Sequence, residues 1–132
     1  MQSAVSRRVG HLDQQIEIRE HRLTADEPED HGGTDKGPRP TELLAASLAS
    51  CTAITLLMYA ERKEWDLADL QVSVDYKTPE SGEPARLEVK IRTPAELTDE
   101  QRERLLVIAS KCPVHRTLKA NEVEVEDEWI SG

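Results

Sequence analysis

Hydrophobic positions along this chain fall into short runs of period two separated by two stretches of helical period. Residues 14–26, QQIEIREHRLTAD, set Ile16 and Ile18 on one face and charges on the other, which predicts a half-exposed strand. Residues 1–13 ahead of it are expected to form an N-terminal strand or a flexible segment. The stretch 27–40, EPEDHGGTDKGPRP, holds three prolines and three glycines and reads as a loop. Thr41 is placed to cap a helix over residues 43–60, LLAASLASCTAITLLMYA, in which every position is apolar, Ser or Thr. Its length is borderline for a bilayer span. Dilution by small and hydroxyl residues, and soluble-looking flanks, favour a central helix buried on most sides that emerges at Glu61, Arg62, Lys63 and Glu64.

Residues 70–77 and 86–93 alternate Leu70, Val72, Val74 and Tyr76, then Leu87, Val89 and Ile91, with polar residues, so two more half-buried strands are expected. The Pro- and Gly-containing TPESGEP between them favours an antiparallel hairpin. Thr98 and Gln101 form a capping-box pattern for a second helix carrying Leu105, Leu106, Ile108 and Ala109, which should stop before Pro113. The segment EVEVEDEWI alternates again and predicts a last strand through Val123, Val125 and Trp129. Strands, helix, strands, helix and strand describe a single α+β domain.

Composition narrows the partners. With 17 Lys+Arg against 26 Asp+Glu, the net charge of −9 repels polyanions and argues against nucleic acid as a partner. There is no Phe, and Tyr59, Trp65, Tyr76 and Trp129 are the whole aromatic content, so the core is aliphatic and modest for a monomer. Burial against a second copy would supply the missing apolar area. The opening MQSAVSRRVG lacks the apolar run of an export signal, so a cytoplasmic location with reduced thiols is expected.

The two cysteines, 61 positions apart, fit neither a disulfide scaffold nor a metal finger. Cys51 sits mid-helix, where burial raises a thiol pKa and where a lone Cys is ordinarily a small core hydrophobe. Cys112 precedes a proline and therefore falls at a helix N-cap, with Pro113 at the first helical position and Lys111, His115 and Arg116 close by. The Cys112–His115 spacing is half of a zinc pattern, but no second ligand pair at metal spacing accompanies it. His11, His21 and His31 lie scattered in polar context, and no metal or other cofactor is expected.

Residues 37–51, GPRPTELLAASLASC, followed by TAITLLMYAERKEWDL, resemble the OsmC/Ohr proteins, and SKCPVHRTL at 110–118 resembles that family's Cys-Pro segment. The likeness runs over roughly residues 14–130. It implies an intertwined homodimer with antiparallel sheets packed around a long buried central helix. It also implies a thiol peroxidase cycle on organic hydroperoxides, with Cys51 peroxidatic, Cys112 resolving, and a dithiol such as dihydrolipoamide as reductant. In the family's peroxidase branch an early-loop Arg and a Glu ten positions before the first cysteine hold the thiolate. Here that position is Thr41, and the carboxylate is Glu42 one residue later; nine helical residues rise about 14 Å, so Glu42 cannot touch Cys51 of its own chain. Arg22 and Arg39 are the leading candidates for the activating cation, with Arg8 and Arg19 behind them. The alternative on the same scaffold is a redox sensor or a binder of small hydrophobic ligands. No membrane association is expected.

Overall fold

The computed structural model describes residues 1–120 and 123–131, which cluster into two compact units. One comprises residues 1–46 and 76–86, the other 47–75 and 87–132.

The first unit is built on a three-stranded antiparallel sheet, β1 (Val5–Arg8), β2 (Gln14–Ile18) and β3 (His21–Ala25), in the order β1-β2-β3. The single strand expected over 14–26 is therefore a hairpin. It turns at Arg19 and Glu20, with Arg19 in the left-handed region at φ 54°. An arginine tolerates that conformation at some cost, and without Gly or Asn the turn left no trace in the sequence. The register sets Ile16 opposite Leu23 and Ser6. Leu23 stays 45% exposed, so the apolar face of this sheet is thin and open.

The Pro- and Gly-rich loop after β3 is tied to one buried carboxylate. Asp26 accepts hydrogen bonds from the backbone N–H groups of Glu27 (2.8 Å), Thr34 (3.3 Å) and Lys36 (3.0 Å) and from the Thr34 hydroxyl (2.9 Å). A single 3-10 turn, Glu29–His31, lies inside the loop. Gly33 and Gly37 run against the main chain so closely that a Cβ at Gly33 would collide with the Glu27 carbonyl and one at Gly37 would lie 2.5 Å from the Thr24 carbonyl oxygen. Glycine is required there by approach rather than by φ.

Helix α1 (Pro40–Lys63) contributes its first seven residues to this unit and the rest to the other. It starts earlier than expected: Pro40, not Thr41, opens it, because proline fits the first helical position and needs no N–H there. The Arg39 carbonyl accepts from Leu43 N–H at 3.0 Å, and Arg39 N–H donates to Glu42 Oε1 at 2.8 Å, the reach-back half of a capping box. At the far end Glu64 adopts φ 59° and Trp65 N–H closes onto the Ala60 carbonyl at 2.8 Å, a Schellman-type stop built without glycine.

The second unit packs the rest of α1 with β4 (Gln71–Lys77) and β5 (Arg86–Arg92), whose hairpin end belongs to the first unit, and with α2 (Asp99–Ala109) and α3 (Pro113–Ala120). The Thr98–Gln101 capping box is complete in both directions, at 2.9 and 3.1 Å. Leu56, Tyr59, Ala60, Leu67, Leu105, Ile108 and Ala109 form the core, an aliphatic cluster closed by the Tyr59–Trp65 edge contact at 5.7 Å. Arg104 Nε donates to the Tyr59 hydroxyl at 3.0 Å and ties α2 to α1; it holds the phenol pKa below its ordinary value.

Two expectations fail in this unit. Residues 123–131 carry no strand, so Val123, Val125 and Trp129 stay exposed: alternation alone does not make a strand without an edge to pair with. Nor is α1 buried on most sides, since Ile54, Leu57 and Met58 are 56, 45 and 56% exposed.

The Asp26 knot has a pH signature. Its hydrogen bonds, the one from Lys36 N–H first, hold the carboxyl below its ordinary value, so its stabilisation is present above about pH 4 and lost as pH falls through the depressed pKa. Asp26→Asn should lower Tm by several degrees at pH 7 and flatten the fall in stability between about pH 4 and 2, measured by circular dichroism.

Candidate active site

The two cysteines come together, both within the second unit. Cys51 is half-buried on α1 and Cys112 is fully enclosed, at 0% exposure. Local geometry delivers Cys112. After α2 ends at Ala109, Lys111 N–H bonds the Ile108 carbonyl at 3.0 Å and Cys112 N–H bonds the Ala109 carbonyl at 3.3 Å, which turns the chain tightly. Pro113 then opens α3, leaving Cys112 at its N-cap as the Cys-Pro pair predicts. The Cys112 carbonyl accepts from Arg116 N–H at 3.0 Å, and its Sγ accepts from His115 N–H at 3.5 Å. The thiol itself thus caps the helix.

The Cys51 and Cys112 side chains lie close enough to influence one another, and both thiols are free. The Val114 N–H and the hydroxyl of Thr55, one turn further along α1, favour the charged form of Cys51. Successive N–H groups at the start of α3 thus act on the pair: His115 bonds the Cys112 sulfur, and Val114 favours the charged form of Cys51. Burial is the strongest influence on Cys51 and, with the Cys112 hydrogen bond and charge, raises its thiol above the ordinary value; Val114 and Thr55 pull the other way without reversing the sign.

Most of the remaining candidates have other employment. Arg39 Nε pairs with Glu27 Oε1 at 2.9 Å, and Glu42 takes the Arg39 N–H at the start of α1. Arg22 is exposed on β3 opposite Glu17. Arg8 Nε holds the Gly10 and His11 carbonyls at 3.1 and 2.9 Å, and Arg19 forms the β2–β3 turn. Among the described residues no group of three or more His, Cys, Asp or Glu is arranged to hold a metal ion. The residues that sequence reasoning missed are Thr55 and Val114. Thr55 was available from its i+4 spacing to Cys51 on a helix, but nothing local could show that the Val114 N–H meets a sulfur on another helix.

Chemically, the pair offers one thiol within reach of solvent and a second, enclosed thiol in contact with it. Such a pair has the chemistry to pass from dithiol to disulfide.

Fold and site together define an α+β protein that brings two thiols near each other, one along a long helix and the other capping a short one. Residues 33–127 match the family described as OsmC-like protein, and the chain belongs to that family. Its fold is shared with solved structures over nearly its whole length. A Psychrobacter arcticus 273-4 protein described as an osmotic stress induced and detoxification response protein is 25% identical, with a TM-score of 0.80 and 89% of this chain and 88% of that one covered. An organic hydroperoxide resistance protein OsmC from Legionella pneumophila is 21% identical, with a TM-score of 0.70 and 92 and 90% covered. The organic hydroperoxide resistance protein OhrB of Bacillus subtilis is 20% identical, with a TM-score of 0.63 and 92% of each chain covered. No curated protein matches the chain.

Because the Thr55 hydroxyl favours the charged form of Cys51, Thr55→Val should push the thiol further up. Alkylation by iodoacetamide, followed by mass spectrometry of the Cys51 peptide, should rise with pH in the wild type toward a plateau above the ordinary thiol value of about 8.5. In the variant the curve should shift to higher pH, and the Cys51 rate at pH 7.5 should fall roughly two- to fivefold.

Proposed function

We propose that the protein is a thiol-dependent peroxidase that reduces organic hydroperoxides to alcohols. The observation that carries this reading is the approach of the Cys51 and Cys112 side chains, which belong to residues 61 positions apart. The Cys51 sulfur attacks the terminal oxygen of the hydroperoxide, the O–O bond breaks, and the alkoxide leaves as the alcohol after taking a proton. Cys51 is then a sulfenic acid. The Cys112 sulfur attacks it, the S–O bond breaks, water leaves, and a Cys51–Cys112 disulfide forms. A dithiol of the dihydrolipoamide kind reduces the disulfide by exchange, becoming a cyclic disulfide itself. The difference in exposure supports this order, because the half-buried sulfur meets the oxidant and the enclosed one meets only its partner.

Names of structural relatives support the substrate class, since two of them are called organic hydroperoxide resistance proteins. With Arg39 and Glu42 engaged elsewhere, Val114 N–H and the Thr55 hydroxyl are the groups we assign to the Cys51 thiolate. We place the protein in the cytoplasm as a homodimer, acting without a resident cofactor. The α1 helix is long and apolar enough to cross a membrane. Its exposed Ile54, Leu57 and Met58 fit a subunit interface better, because an aliphatic core without Phe needs the added burial. One observation favours the second reading, a redox sensor or ligand binder with little turnover: burial keeps the Cys51 proton on.

Cumene hydroperoxide consumption with dihydrolipoamide separates the two. Cys51→Ser should lose at least about 100-fold in rate. Cys112→Ser should complete one turnover and stop with a sulfenic acid that dimedone traps on Cys51. Wild-type rates in Cys51→Ser would reject the peroxidase. Sedimentation velocity should give a dimer that Met58→Glu shifts toward monomer at micromolar concentration.

A further inference from the structure

The second unit contains an apolar cavity that neither cysteine lines. Its volume is about 420 Å³, and Leu56, Leu70, Ile91, Leu97 and Leu105 make most of its wall. That is the size of a small-molecule site, which typically spans about 300–1,000 Å³. Leu56 forms part of the fully buried core, so the pocket reaches down to it.

The polar part of the wall is selective. Thr93 is not available to a ligand, because its hydroxyl donates to the Leu67 carbonyl and accepts from Ala95 N–H at 3.1 Å. Arg92 and Arg102 also line the cavity, are exposed, and make no ion pair or side-chain hydrogen bond among the described residues. In a chain with 26 acidic residues against 17 Lys and Arg, two guanidinium groups beside an apolar pocket that have no acidic partner among the described residues are a notable imbalance. Guanidinium pairs carboxylates in a bidentate fork, and a low-polarity wall strengthens such a pair while rejecting water.

We infer that this cavity binds an unbranched alkyl carboxylate, its chain against Leu56, Leu70, Ile91 and Leu105 and its head group between Arg92 and Arg102. The site is separate from the thiol chemistry. Its occupant is an amphiphile recognised by an anionic head and a saturated tail, and the charge of the two arginines selects it over a neutral alkyl chain or the apolar face of another protein.

Isothermal titration of the full-length protein, in its solution oligomeric state at pH 7.5, with decanoate and with 1-decanol tests this. Decanoate should bind one per chain and more tightly than decanol. Arg92→Gln with Arg102→Gln should weaken decanoate at least about tenfold and leave decanol unchanged. Leu106→Trp, at a cavity-lining position that is 62% exposed, should narrow the pocket and weaken both ligands in a protein whose circular dichroism matches wild type. Absence of decanoate binding, as when a second subunit covers the cavity, would overturn the inference, as would decanoate affinity indifferent to both arginines. The readout is binding heat, so an inactive peroxidase would leave the result standing, and an empty cavity would leave the peroxidase standing.

Discussion

The site depends on a helix that begins at the right residue. Proline at 113 stops α2 from running on and forces the residue before it out of helical conformation. That residue is Cys112, whose sulfur takes the His115 N–H while the neighbouring Val114 N–H favours the charged form of Cys51. One of the unsatisfied donors that every helix start carries is thereby spent on sulfur rather than on water or a capping oxygen. Remove the proline and the two thiols lose the element that presents them to each other.

This arrangement bears on how the first cysteine is tuned. Cys51 lies mid-helix, where its own helix offers it no free N–H, and burial keeps its proton on. Help must come from outside the backbone of α1, and here it comes from the Thr55 side chain and from the start of α3. The family's Arg–Glu arrangement has no straightforward counterpart within the first unit. Arg39 and Glu42 are consumed in starting α1, one by a carboxylate partner at Glu27 and the other by the Arg39 N–H. At position 42 the acid is the third residue of a helix that Pro40 opens, where a reach-back to the N-cap is its natural bond.

How much was legible follows from how local each signal is. The capping box at Thr98, the alternation of β4 and β5, the Pro- and Gly-rich loop and the Cys-Pro junction are all short-range and all read correctly. The Arg19–Glu20 turn was missed because it uses a left-handed arginine where turn chemistry would call for Gly or Asn. The 123–130 segment was over-read because alternation reports a surface with two faces, not the presence of a neighbouring strand. The register of Cys51 against Val114 depends on how α3 docks on α1, which no window of sequence contains. The family likeness supplied the pairing of the cysteines where local reading left Cys51 as a core residue.

The missing phenylalanine links the core to the cavity. Leu, Ile and Val branch close to the backbone and fill space near it, whereas a Phe ring reaches across the gap between facing elements. Tyr59 and Trp65 meet edge to face at the end of α1, and the second unit is otherwise closed by aliphatic side chains. Between Leu56 on α1, Leu70 before β4, Ile91 on β5 and Leu105 on α2, that leaves a volume lined by methyl groups. Apolar space of this kind is poor at holding water, since water needs two or more polar partners. An alkyl chain needs none, and Arg92 and Arg102 bring positive charge to the lining of the same space.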